Sequence, residues 1–222
     1  MKITSKGIAV LEHNKDMLLS RWVEDQGRLC VEQSVFEHYL PLIKEGDVVV
    51  DGGAALGDHT CAYLQKVGTT GTVHAFEPNP DMFECLQYNC PTALLHNCGL
   101  SDRLSEMYLD ANALNAGASF LKNVQGKNER VVTTIALDSL VLPRLDFLKM
   151  DIEGMELFAL RGAQETILRC KPIIVMEINE PCLSRYNVTS NDIKLFLNKL
   201  CYTFRIFLGE ETNSHYELIA TP

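Results

Sequence analysis

The sequence predicts an α/β domain built on a mostly parallel sheet. Three observations carry this. Apolar runs alternate with amphipathic stretches along most of the chain. The run Val48-Val49-Val50 is uninterrupted, as in strands buried on both faces. Such runs end in carboxylates or glycines that lead into helix-start signals. No repeat or low-complexity tract divides the chain.

Residues 1–45 are the least regular and are expected to form an N-terminal cap packed on a single domain spanning 46–222. Within them Val31, Val35, Tyr39 and Leu42 recur at helical spacing, predicting a helix from Val31 to Ile43. A first core strand follows at Val48–Val50, and Asp58-His59-Thr60 opens a helix that stops near Gly68. Thr72 to Phe76 reads as the second strand. Asn79-Pro80-Asp81 then supplies an N-cap, a proline at the first helical position and an acid facing the helix dipole. A third strand is expected near Ala93 to Cys98, and an inserted hairpin pairs Glu106–Leu109 with Val131–Ala136.

Asp146 to Met150 is the fourth core strand. The next helix is expected from Gly154 to Leu168, stopped by Arg169, Lys171 and Pro172. Ile173 to Met176 is the fifth strand. Ser190 caps a helix whose Ile193, Phe196, Leu197 and Leu200 share one face. Strands near Tyr202–Phe207 and Tyr216–Ala220 complete a seven-stranded sheet plus the hairpin.

Composition narrows the function. The 222 residues carry 20 basic and 29 acidic side chains, a net charge of −9, which opposes a nucleic-acid partner because phosphate contacts need clustered Lys and Arg. Hydrophobic residues at 46% and charged residues at 22% are ordinary globular values. No apolar stretch approaches a membrane span, and the first residues lack a signal-peptide core, so a cytoplasmic location is expected. The eight cysteines form no CxxC pair and read as reduced, buried thiols, with no metal site expected.

The chemistry concentrates at strand ends. In Val50-Asp51-Gly52-Gly53-Ala54-Ala55-Leu56-Gly57, a dinucleotide G-x-G-x-x-G fails from either glycine: Gly52 is answered by Ala54, and Gly53 by Ala55 and Asp58. The pattern that fits is acid-x-Gly-x-x-x-Gly, with Asp51, Gly53 and Gly57. It suits S-adenosylmethionine (SAM), whose ammonium needs a carboxylate and whose carboxylate needs backbone N–H groups. Glu77, ending the second strand, is placed to accept hydrogen bonds from ribose hydroxyls. Asp151 and Glu153 cluster after the fourth strand, with Glu156 a helical turn on, and Glu177 ends the fifth.

These segments, with Phe76-Glu77-Pro78-Asn79-Pro80, Leu148-Lys149-Met150-Asp151-Ile152-Glu153-Gly154 and Val175-Met176-Glu177-Ile178, resemble FkbM-type SAM-dependent methyltransferases. The resemblance implies a Rossmann-like class I methyltransferase fold, with helices on both sheet faces and an antiparallel last strand. It further implies methylation of a hydroxyl oxygen on a sugar, glycan or natural product. Carried over, Gly53, Ala54, Gly57, His59 and Thr60 line the methionine part of SAM. Glu77 holds the ribose beside Pro78 and Asn79, while Leu100, Ser101 and Asp102 lie on the adenine side. Gly52, where an aliphatic residue is usual, and Ala55, where asparagine is frequent, depart from the pattern.

An alcohol acceptor calls for a general base. His59 has the suitable intrinsic pKa, whereas Asp151 has the better position, with Glu153 and Glu177 shaping the pocket. The lone Trp22 either covers the acceptor pocket or packs, and packing is the stronger reading; the other histidines carry no motif. Two further functions fit less well: a non-catalytic SAM-binding protein, and an NAD-dependent oxidoreductase sharing Glu77.

Overall fold

The computed structural model describes residues 1–29, 33–126, 129–210 and 212–222. Seven strands form the main sheet: β1 (Val48–Gly52), β2 (Thr72–Phe76), β3 (Leu94–His96), β4 (Phe147–Met150), β5 (Ile173–Asn179), β6 (Thr203–Leu208) and β7 (His215–Thr221). Their order is β6-β7-β5-β4-β1-β2-β3. Strands β1 to β5 run parallel, with Val50 opposite both His74 and Leu148, whereas β7 is antiparallel to both β5 and β6. The chain moves outward from β1 to β3 and then returns to the other side of β1 as β4. Side-by-side β1 and β4 therefore make a topological switch point, where a crevice opens beyond the strands' carboxyl ends.

Both faces are covered, which is why the strands read as continuous apolar runs. Alternation along β4 sends Leu148 and Met150 into one core with Leu157, Leu160, Ile193 and Leu197. Phe147 enters the other, with Tyr39, Tyr63 and Val67.

Several elements differ from expectation. In place of a hairpin there is a second, four-stranded sheet, ordered Gly99–Leu100, Arg130–Ile135, Ser105–Asp110, Phe120–Lys122. The two expected strands do pair, Met107 opposite Val132, and their apolar face packs against Met155. The helix expected over 154–168 is two, Glu156–Gly162 and Gln164–Cys170. Gly162 lies so close to the Ser101 carbonyl that a Cβ there would stand 2.0 Å from it. The second helix is then capped from outside, Asp138 accepting from the Glu165 and Thr166 N–H groups at 3.0 and 2.8 Å. The last long helix is capped by Thr189, not Ser190, in a reciprocal box with Asp192. The helix expected from Val31 is observed as Gln33–Tyr39 followed by a short turn of 3₁₀ helix; Val31 itself lies outside the described residues.

Residues before the main sheet hold a small antiparallel ladder, Lys2–Ile3 with Ala9–Val10, and a helix, Leu19–Gln26. Val10, Leu11 and Val23 pack against Leu56, Met82 and Ala116. That contact brings the N-terminal helix over the carboxyl end of β1. The seven described cysteines are all free thiols, and no helix is long and apolar enough to cross a membrane, among the described residues.

Candidate active site

The loop after β1 is built by backbone geometry. Gly53 has φ +83° and passes so close to β4 that a Cβ would sit 1.9 Å from the Asp151 carbonyl oxygen. Only glycine meets both demands. The Gly53 and Ala54 N–H groups both donate to the Phe76 carbonyl at 3.0 Å, tying the loop to the end of β2. Gly57, at φ +96°, precedes the helix Asp58–Val67; a Cβ there would press on the Cys90 sulfur at 2.7 Å.

Glu77 anchors the loop from the other side. One carboxylate oxygen accepts from the Ala55 N–H at 2.9 Å and the other from the Asn79 N–H at 2.7 Å. Burial pushes its pKa up to about 7 against those hydrogen bonds. Asn79 itself caps the next helix. Asp51 is wholly buried, and burial raises its pKa. Its Oδ2 accepts from the Thr60 hydroxyl at 2.6 Å, whereas Oδ1 meets no hydrogen-bond donor among the described residues.

Two cavities adjoin here. The first, about 580 Å³, lies between the β1 and β2 loops and the smaller sheet. Its walls include Glu77, Pro78, Leu100 and Met82, with Leu109 and Phe120 as a roof. The second, about 830 Å³, is walled by His59, Asp58, Glu177, Asn115 and the N-terminal residues Leu18 and Trp22. Both are lined by Gly53, Ala55, Gly117, Asp151 and Glu153. A shared wall of this kind places Asp151 and Glu153 where the contents of the two spaces meet.

Charge in that wall is arranged. Desolvation favours a protonated Asp151, but the Lys149 ammonium at 3.3 Å and His59 outweigh it, and its pKa falls. Oxygens of Asp151, Glu153 and Glu177 lie within 4.8 Å of one another. The Asp151 charge, then burial, raises the Glu177 pKa, and Glu177 in turn raises that of His215, so the pair and not Glu177 alone holds a proton. His215 stands 2.7 Å from Glu177 and shares that proton. Glu153 has φ +56°; it accepts from the Cys182 thiol at 3.0 Å and lies 3.6 Å from Arg185.

Of the residues singled out from the sequence, Gly53, Glu77, Pro78, Leu100, Asp151 and Glu153 line the first cavity, and His59 and Glu177 the second. Asp51, Ala54, Gly57, Thr60 and Asn79 stand behind these walls and hold them. Ser101 and Asp102 are not among the lining residues: Ser101 donates its N–H to Ile135 and faces Gly162, and Asp102 meets Arg103. Glu156, expected at a helix start, is buried and folds back on the Ile152 and Gly154 N–H groups, bracing the turn after β4. Sequence reasoning missed Lys149, whose signal was a cation inside an apolar run. It favoured packing for Trp22, which is 45% exposed on the second cavity's wall.

Known proteins bear on this geometry. The methyltransferase FkbM domain family matches residues 51–204. The hexuronic acid methyltransferase AglP of Haloferax volcanii is 30% identical over 152 residues, covering 65% of this chain and 61% of that protein. The crystal structure of a methyltransferase FkbM from Methylobacillus flagellatus superposes with a TM-score of 0.55 at 18% identity, over 84% of this chain and 50% of the other. The chain thus spans about half to three-fifths of the length of these relatives. A precorrin-6y C5,15-methyltransferase from Geobacter metallireducens matches along 100% of this chain and 98% of its own, with a TM-score of 0.54 at 14% identity. At such identities the structural likenesses speak to the fold alone.

Proposed function

The chain belongs to the FkbM methyltransferase family, and on that premise we propose that it methylates a hydroxyl oxygen of a neutral sugar or similar small hydroxylated acceptor. SAM is the cofactor, and when bound it supplies an electrophilic methyl group on a sulfonium centre. The residues present suit it. Glu77 retains lone pairs for two ribose hydroxyls after serving two backbone N–H groups. The buried, unsatisfied Oδ1 of Asp51 suits a cationic amino group nearby.

The single observation carrying the reading is that Asp151 and Glu153 line both cavities. With cofactor in the first and acceptor in the second, Asp151 faces the hydroxyl to be methylated. Its lowered pKa keeps it a carboxylate, able to accept the hydroxyl proton as the new O–C bond forms. Alignment is the larger contribution, and the rigid Gly53–Asp151 crossing supports it. Glu177, sharing a proton with His215, hydrogen-bonds the acceptor's other oxygens.

The second cavity's walls favour a neutral acceptor. Among the described residues they carry Asp58, Asp151, Glu153 and Glu177 and neither lysine nor arginine. An anionic sugar there would meet the Asp151 charge, and Lys149 and Arg185 are already paired with Asp151 and Glu153.

The test uses methyl-labelled SAM with panels of neutral sugars, uronic acids and hydroxylated metabolites. Label is expected on neutral hydroxylated compounds. Asp151→Asn is expected to lower turnover about a hundredfold and leave SAM binding intact by calorimetry. Full activity in that variant overturns the assignment of Asp151, and preferential labelling of uronic acids overturns the acceptor class.

A further inference from the structure

Lys149 stands at the third position of β4 with a side chain 1% exposed. The strand's alternation turns it toward the aromatic face with Phe147, away from Leu148 and Met150. A buried ammonium is expensive unless it is paired, and an apolar residue would pack there at lower cost. Its neighbours explain why a lysine is there. Lys149 lies opposite Asp51 on β1 and Val175 on β5. Its Nζ is 3.3 Å from Asp151 Oδ2, and it also feels Glu217, Tyr39 and Glu177. Asp151 is faced in turn by His59 from the helix after β1, and His215 reaches Glu177 from β7. Lys149 is thus a cation placed beneath a row of carboxylates at the sheet's carboxyl edge.

We propose that Lys149 is a positioning residue for methyl transfer: its ammonium, sunk behind the shared wall, holds Asp151 as a carboxylate turned toward the junction of the cavities. The proposal rests on Asp151 being the acceptor-facing group. Lys149 lines neither cavity, so it acts through Asp151 and not on the acceptor. A lysine that merely neutralises the core shifts the Asp151 titration but leaves the acid limb of the kcat–pH profile where it stands in wild type. A lysine serving the reaction sets that limb.

Carboxyl-carbon NMR reads the coupling of Lys149 to Asp151 directly, with Asp151→Asn identifying the signal by its loss. In the wild-type chain Asp151 is expected to titrate below ordinary aspartates. In Lys149→Met its midpoint is expected to rise by at least about one pH unit, a tenfold change in proton affinity, and the acid limb of the kcat–pH profile to rise with it. An unchanged midpoint or an unmoved acid limb in a folded Lys149→Met protein, checked by circular dichroism, overturns the proposal. If that variant does not fold, the wild-type titration and that of His59→Asn decide: a wild-type midpoint at or above the ordinary aspartate value, or one that returns to it in His59→Asn, overturns the proposal, and a midpoint depressed in both supports it. The titration reports on Lys149 and Asp151 whether or not methyl transfer runs through Asp151. Failure here is therefore distinguishable from failure of the proposed function, which the turnover of Asp151→Asn tests.

Discussion

Glu77→Gln separates two effects that one carboxyl exerts. Glu77 is 7% exposed, and burial raises its pKa from 4.5 to about 7. A carboxyl raised on folding stabilises in full below its unfolded pKa, and that contribution is lost as pH rises through the folded value. At 1.36 kcal/mol per unit, and with the unfolded group already mostly ionised at about pH 5, the loss between about pH 5 and pH 8 is about 2.5 kcal/mol. Glutamine does not titrate, so urea denaturation should show wild type losing that much more stability across the window than the variant. Glu156, raised to about 7 by burial, and Glu177, raised to about 8, add slope to both proteins and cancel in the comparison. The variant also gives up one of the two N–H contacts from Ala55 and Asn79, a constant offset of about 1 kcal/mol. If ribose hydroxyls bond the ionised carboxyl, SAM affinity at about pH 8 should fall about a hundredfold, as expected for charge-assisted bonds lost. Parallel stability curves for the two proteins would refute the placement of a raised, buried titration at Glu77.

Three other perturbations test separate parts of the site. Gly53→Ala combines a left-handed φ of +83° with a Cβ 1.9 Å from the Asp151 carbonyl; a cost of about 3 kcal/mol is expected, a melting-point drop of roughly 10 °C by calorimetry. Thr60→Val removes the donor at 2.6 Å from buried Asp51, and chemical denaturation should show a loss of about 1–3 kcal/mol, smaller in acid where Asp51 is protonated. Trp22→Ala alters a wall of the second cavity only. It should raise the acceptor KM about tenfold while calorimetric SAM binding is unchanged; weakened SAM binding would instead place Trp22 with the cofactor.

What was legible in the sequence follows contiguity. The β1 loop, the Asn79 cap and the strand-end carboxylates are each specified within a few residues, because a buried parallel strand must end in a turn whose glycines and caps are local. What was missed depends on distant partners. The break at Ala163 needs the Ser101 carbonyl against Gly162 and the Asp138 side chain on the following helix, neither visible as a periodic signal. The smaller sheet needs Gly99–Leu100 and Phe120–Lys122 brought beside the pair anticipated. Ser101 and Asp102 do not follow Leu100 into the cavity lining, because adjacency in sequence does not decide direction. Leu100 turns to the cavity, while the Ser101 N–H completes the ladder to Ile135.

The same distinction divides the two cavities. The floor of the first space is framed by residues at the ends of β1, β2 and β4, the part that any chain with this switch point tends to form, and its roof comes from the smaller sheet. The second space takes its far wall from Leu18, Leu19 and Trp22, and another from Asn115 and Gly117, segments with no role in the main sheet. Asp16 ties the two together: its Oδ2 accepts from the Ser20 N–H at 2.6 Å, and its Oδ1 from the Ala116 N–H at 3.2 Å. A buried carboxylate thus links the N-terminal helix to the turn around Ala116, two segments that wall the second space, without lining that space itself. On the proposed assignment of the two spaces, acceptor choice can therefore change through residues near Asp16 and Trp22 while the β1 loop, locked by Gly53 against Asp151, stays as it is.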